Sequence, residues 1–421
     1  MIQEVERDHA MEAGLPVTEP SSPPPRTDLA LVLSGGGARG AYQTGVMRCL
    51  ARHLPDLNFP IITGVSAGAI NAVHYAARSG SLVEATCELC DVWARLRVED
   101  IFRVDIPSLV RHFTRWAARL ASGGASIAPT VRGLVDTRPL YDTVQRTAPT
   151  IDGEVIGIER NLESGRLKAM ALTGLNYTTG QTVTWIQGRD VCHWHQPRHR
   201  SQSARITIDH VMASASLPLF FPAVRLGDDW YGDGGMRLST PLVPALRLGA
   251  SRILAISPHY EPSYEEAERR KSEGYPPPAQ ILSHLADSIF LDVLDEDVRR
   301  LMSLNALLAK LPPEDRGLLR HIDIQVLRPS QDLGELANQY EPRLPAGFRY
   351  LTRSLGTKES EPSDFLSMVM FQEDYLQRLI ELGEADTEAR IDEVRALVAG
   401  ADAKAAASPA KRRSPEPPPP L

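Results

Sequence analysis

The chain has 421 residues, 43% of them hydrophobic, and a formal net charge of -7. A chain this long with ordinary apolar content buries a large core, which excludes a stapled miniprotein and a wholly disordered chain. The acidic balance argues against nucleic acid as the main partner.

Residues 1–27 end in EPSSPPPRT and read as a disordered leader. LALVL (29–33) is a short apolar run, the mark of a buried strand. Gly35, Gly36 and Gly37 follow, then Ala38, Arg39 and Gly40. Helical spacing over 40–54 places Ala41, Val46, Met47 and Leu50 on one face. FPIIT (59–63) is a second buried strand, and residues 67–80 form a helix closed by Gly80. TCELCDVW also reads as helix, with Cys87 and Cys90 as two core-facing thiols. Residues 166–186 alternate as a strand pair turning near Thr179-Gly180. DWYGDGG (229–235) is a strand end, with Asp228 and Asp229 in a hairpin turn after Gly227. A helix over 242–250 and the strand RILAIS (252–257) follow. Short apolar strands alternating with helices mean a mostly parallel sheet covered on both faces, an α/β class. Beyond Pro258, residues 279–311 and 364–398 are helical, and HIDIQVLRPS (321–330) holds another strand. These additions, 259–400, are expected to pack on the sheet domain of 28–258, with an independent second domain as the alternative. Residues 401–421 read as a disordered tail.

Three features carry chemistry. Gly64-Val65-Ser66-Ala67-Gly68 is a G-x-S-x-G directly between a strand and a helix. A serine on such a tight turn presents its hydroxyl at the carboxyl end of the sheet. A serine nucleophile needs a base. His259, His284 and His321 lie in no recognisable loop context, whereas Asp233 stands at a strand end before Gly234 and Gly235. That carboxylate is placed to reach Ser66. Aspartate is a weak base at its ordinary pKa of about 3.9, so the site must desolvate it or stabilise the developing anion strongly. The backbone N–H groups of Gly35, Gly36, Gly37 and Ala38, at a helix N-terminus, suit the second task.

The competing reading of Gly35-x-Gly37-x-x-Gly40 is a dinucleotide loop. That loop requires an acidic residue about 20 positions on, at the end of the second strand. Thr63 and the G-x-S-x-G stand there instead. Cys192, His193, His195 and His199 lack a second cluster to complete a four-ligand site, so no metal is expected. Four cysteines in all suit a reducing compartment. With no 18-residue apolar run and an acidic N-terminus, the expected location is the cytoplasm, with contact at the inner membrane face.

GGGARG (35–40), GVSAG (64–68) and DGG (233–235), in this order, resemble the motifs of the patatin-like phospholipases. LVDTRPLYDTV (134–144) and residues 212–257 are similar to further family segments. The resemblance implies a three-layer α/β/α sandwich and a Ser–Asp dyad without histidine. It implies hydrolysis of acyl esters of phospholipids or other lipids with no cofactor. Ser66 is then the nucleophile, Asp233 the base, and Gly35 to Ala38 the oxyanion hole. Arg39, Gly40, Gly64, Gly68, Gly234 and Gly235 support the motifs. An acyltransferase or a catalytically silent interaction protein on the same fold are the alternatives. Leu109, Phe113, Trp116 and Leu120 on one helical face, opposite Arg111, Arg115 and Arg119, make 106–124 the candidate membrane contact; the other reading is a helix packed on the sheet with its arginines in water. The run Leu217 to Pro222 is expected to line an acyl pocket or the core.

Overall fold

The computed structural model describes residues 28–103, 135–218, 220–268, 292–317, 319–344 and 364–407, with isolated positions such as Thr114, Gly133 and Asp287. The candidate membrane segment 106–124 therefore lies outside the described residues, Thr114 apart, as do 1–27 and 408–421.

The strands are β1 (Asp28–Leu33), β2 (Ile61–Gly64), β3 (Thr150–Ile151), β4 (Glu154–Val155), β5 (Ala169–Asn176), β6 (Thr182–Gly188), β7 (His199–Ser203), β8 (Val224–Leu226), β9 (Asp229–Asp233), β10 (Ala250–Ile256) and β11 (Asp323–Leu327). The main sheet runs β11-β10-β1-β2-β5-β6-β7, with β9 against β5 and β8 against β9. The pairs from β11 through to β5 are parallel, whereas β5–β6 is the antiparallel hairpin that the alternation over 166–186 predicts.

The main helices are α1 (Gly40–His53), α2 (Ala67–Ala77), α3 (Leu82–Ala94), α4 (Arg138–Thr147), α5 (Ile208–Ala215), α6 (Asp292–Leu308), α7 (Leu333–Tyr340), α8 (Asp364–Val369), α9 (Glu373–Ala389) and α10 (Ile391–Ala407). The last contains a break at Gly400, where φ is 75°. The period-2 alternation of β1 decides the layering. Leu29, Leu31 and Leu33 enter the core shared with α1, α2 and α3, while Ala30 and Val32 enter the core shared with α6. Both faces are thus covered, and the fold is the expected three-layer α/β/α sandwich.

β11 extends the sheet by pairing parallel with β10, and α9 lies along α1. The α1–α9 approach is close because each helix offers a glycine. A Cβ at Gly45 would fall 2.0 Å from the Ile380 carbonyl oxygen, and one at Gly383 2.3 Å from that of Tyr42. The buried Tyr42 hydroxyl then donates to Asp386 at 3.1 Å. One expectation fails. Cys90 is buried and its thiol donates to the Thr44 carbonyl, but Cys87 is exposed, so the two thiols do not share the core. Residues three apart on a helix are separated by about 60° of arc, enough to put one of them over the edge of a narrow apolar stripe.

Candidate active site

The register of β5 explains how Ser66 and Asp233 meet. One edge of β5 pairs with β6 along its length. The other edge pairs with β2 only as far as Leu172, opposite Gly64. From Gly174 on, the vacated edge is taken by β9, running the opposite way, with Asp233 opposite Gly174. The chain leaving β2 at Gly64 and the chain leaving β9 at Asp233 therefore emerge side by side.

Ser66 sits two residues past β2, at the N-cap of α2, with φ 55° and ψ -130°. This backbone costs a non-glycine residue on the order of 1–3 kcal/mol. Two contacts hold it there. The Ser66 N–H donates to Ser214 Oγ at 3.1 Å, and that hydroxyl donates to the Thr173 carbonyl at 2.7 Å. Gly68 brings the first turn of α2 against β1, where a Cβ would lie 2.3 Å from the Leu33 carbonyl oxygen. The sharp turn of the motif is thus enforced by the neighbouring strand.

Asp233 is fully buried. Its Oδ1 accepts the Gly235 N–H at 2.8 Å, within the short 3-10 turn begun by Gly234. Among the described residues its Oδ2 has no hydrogen bond of proper geometry, although the Ser66 side chain is near enough to favour the ionised form. Burial dominates the electrostatics: it pushes the carboxyl up to about 7, against the weaker opposing pull of Ser66 and the Gly235 N–H.

The glycine loop covers the same point. A Cβ at Gly35 would lie 2.9 Å from Ser66 Cβ and 3.5 Å from its Oγ, so this backbone rests directly on the serine. Gly37 has φ 58° and leads with Ala38 and Arg39 into a 3-10 turn, from which α1 starts at Gly40. Among the described residues no backbone carbonyl accepts from the N–H groups of Gly35, Gly36, Gly37 or Ala38. Buried side chains brace the loop from below. Gln43 donates to the Ser34 carbonyl, Asn71 to Gln43 and to the Gly40 carbonyl, and Trp93 to Asn71.

An apolar cleft of about 740 Å³, counted to its open mouth, starts at Ser66 and Gly37. Ile70, Trp93, Phe102 and Val144 line it, as do Leu217 and Phe221 of the Leu217–Pro222 run. Met368, Val369 and Phe371 form a further wall. Sequence reasoning missed that wall, and it missed Ser214 and the Asn71 network. Ser214 stands in a segment singled out for its resemblance, but its bond to Ser66 depends on α5 crossing β5, which no local pattern encodes.

A sequence model of the patatin-like phospholipases matches residues 31–246, just over half of the chain. The chain belongs to that family. The match takes in all three motifs and leaves α6 to α10 outside it. Among solved structures, human GIVD cytosolic phospholipase A2 in complex with methyl gamma-linolenyl fluorophosphonate is similar at 12% identity. The match covers 89% of this chain and 59% of that one, with a TM-score of 0.40. VipD from Legionella pneumophila is similar at 12% identity over 80% of this chain and 67% of that one, with a TM-score of 0.30. This member of the family thus spans about six tenths of the length of the human phospholipase chain it matches. No curated protein matches it.

Among the described residues no helix is long and apolar enough to cross a membrane. Cys49, His53 and Glu388 bring three ligand-type atoms within 4.8 Å of one another. Glu388 Oε2 takes the Cys49 thiol, His53 and Arg52, the last of which brings a guanidinium charge beside the cluster. His193 is engaged with Ser201 and Ser203.

Proposed function

We propose that this protein is a serine hydrolase of lipid acyl esters, phospholipids included, working through Ser66 and Asp233. One observation carries the reading. A strained, buried serine lines an apolar cleft and stands beside a buried carboxyl, one oxygen of which has no hydrogen-bond partner among the described residues, next to loop N–H groups that donate to no backbone carbonyl among those residues.

Asp233 Oδ2 takes the proton of Ser66 as Oγ attacks the ester carbonyl. The carbonyl oxygen becomes an oxyanion facing the N–H groups of Gly35 to Ala38, where each donor removed typically costs about 3–4 kcal/mol of barrier. The tetrahedral intermediate collapses, the C–O bond to the alcohol breaks, and Asp233 returns its proton to that alcohol. The acyl group remains on Ser66. Water then attacks while giving a proton to Asp233, the bond to Oγ breaks, Oγ recovers the proton and the fatty acid leaves. A base titrating near 7 is matched to this work at neutral pH. The cleft walls of Trp93, Phe102, Leu217 and Phe221 suit a hydrocarbon chain. Helix-spaced arginines opposite Trp116 and Phe113 within 106–124 support transient contact with an anionic bilayer surface.

The test is fatty-acid release from mixed phospholipid vesicles by the purified protein beside Ser66→Ala and Asp233→Asn. The reading expects release by the wild type and loss in both variants. No release from vesicles or short soluble esters, with Ser66 unlabelled by a fluorophosphonate, would overturn it.

A further inference from the structure

Arg39 belongs to the glycine loop, yet its side chain turns away from Ser66 and is 1% exposed. Its Nε donates to Ser367 Oγ at 2.6 Å, and Nη1 donates to the Pro258 carbonyl at 3.4 Å. Nη2 donates to the Asp364 carboxylate in an ion pair and reaches the Asp364 carbonyl at 3.4 Å. Ser367 is itself fixed by donating to the Asp364 carbonyl at 2.7 Å. Every one of these partners lies outside the three motifs, and two of them lie on α8. Asp287 stands beside the pair. Burial and the Asp364 charge push its carboxyl above the ordinary carboxylate range, while the Arg39 charge opposes them.

The contact continues along the loop. A Cβ at Gly37 would lie 2.2 Å from the Met368 carbonyl oxygen, and one at Gly36 2.8 Å from the Pro258 ring. The stretch Gly36–Arg39 is therefore gripped between α8 and Pro258. Met368, Val369 and Phe371 of the same segment line the cleft. One short segment, more than 300 residues from the loop, both clamps the backbone donors and shapes the acyl site.

We propose that Asp364 and Ser367 are positioning residues for hydrolysis: through Arg39 they hold the Gly35–Ala38 N–H groups where the oxyanion forms. The inference rests on the hydrolase reading above. The alternative role for a loop arginine, direct pairing with an anionic substrate group, is incompatible with a guanidinium that is fully enclosed and already answered by three partners. Displacement of a catalytic group by about 1 Å costs on the order of a hundredfold in rate, and so does loss of one oxyanion donor.

The experiment compares wild type, Asp364→Asn, Asp364→Glu and Ser367→Ala on a short soluble p-nitrophenyl ester. Rates are expressed per Ser66 titrated to completion with a fluorophosphonate, so that unfolded molecules do not count. We expect kcat per titrated site to fall about a hundredfold in Asp364→Asn and about tenfold in Ser367→Ala. KM should stay within about threefold, and Asp364→Glu should recover part of the loss. A purely structural clamp would lower the number of titratable sites and leave kcat per site unchanged, and that result in Asp364→Asn would overturn the inference. If Asp364→Asn does not fold, Ser367→Ala decides, and an unchanged kcat per site overturns it equally. An active wild type with unaffected variants refutes the clamp alone. A wild type that neither hydrolyses nor labels refutes the hydrolase reading, and the clamp falls with it.

Discussion

Two buried aspartates near the carboxyl end of the parallel strands have opposite fates. Asp233, at the end of β9, is fully buried and has one oxygen without a partner of proper geometry among the described residues, and burial lifts its carboxyl to about 7. Asp295, on α6, is 3% exposed and saturated: His259 Nδ1 lies 2.8 Å from Oδ2, and Arg328 donates to Oδ1 through Nε at 3.0 Å and Nη2 at 2.6 Å. Burial raises Asp295 too, but the His259 hydrogen bond and the Arg328 charge together outweigh it and hold the carboxyl below its ordinary value. Both carboxyls are buried, yet one is pushed toward neutrality and the other is fixed as a charged strut. What differs is whether the neighbourhood supplies a cation.

The contrast is sharpest in activity. Asp233→Asn removes the proposed base and keeps the shape, and hydrolysis per folded molecule should fall by at least about a thousandfold. Steady-state kinetics with a soluble ester checks it, and a loss under tenfold would break the contrast.

Stability should move the other way. Between pH 4 and 7 the folded protein holds a proton on Asp233 that the unfolded chain has released. Stability from this group is therefore present below about pH 4 and is lost as pH rises through about 7. Asp233→Asn removes that cost, so at pH 8 the variant should be more stable than wild type by up to about 4 kcal/mol, and equal to it near pH 4. Urea denaturation at the two pH values measures this. A variant less stable at pH 8 would show that the carboxylate contributes to folding.

Asp295 predicts the reverse. Its depressed carboxyl contributes stability that is present above about pH 4 and lost as pH falls through the folded value. Asp295→Ala removes the hydrogen bonds of His259 and Arg328 to the carboxylate, leaves Arg328 its ion pair to Glu261 at 3.3 Å, and should destabilise by about 2 kcal/mol at pH 7. Its kcat per fluorophosphonate-titrated site should remain within about threefold of wild type. Parallel denaturation and kinetics separate the two effects, and a large loss of kcat would make Asp295 part of the site.

The same pair shows what the sequence carries. The turn at Ser66 and the strand end at Asp233 were legible because strand, glycine and helix follow one another within a few residues. The layering was legible from the alternation of β1. The meeting of the two turns was less so, since it depends on where β2 stops along β5 and β9 takes over. The Asp295–His259–Arg328 cluster and the Arg39–Asp364 pair join segments tens to hundreds of residues apart, with no spacing rule to announce them. Arg39 was visible as a motif residue, but its inward direction was not. The apolar wall at Met368 to Phe371 reads in sequence as any amphipathic helix end.

The most direct measurement is the rate at which a fluorophosphonate labels Ser66 between pH 5 and 9, in wild type and in Asp233→Asn. The account predicts a wild-type rate that rises with pH to a plateau, with a midpoint near 7, and a variant that labels at least about a hundredfold more slowly with no such midpoint. Wild-type and variant rates that coincide across the range would contradict it, because Ser66 would then take its reactivity from something other than the buried carboxylate beside it.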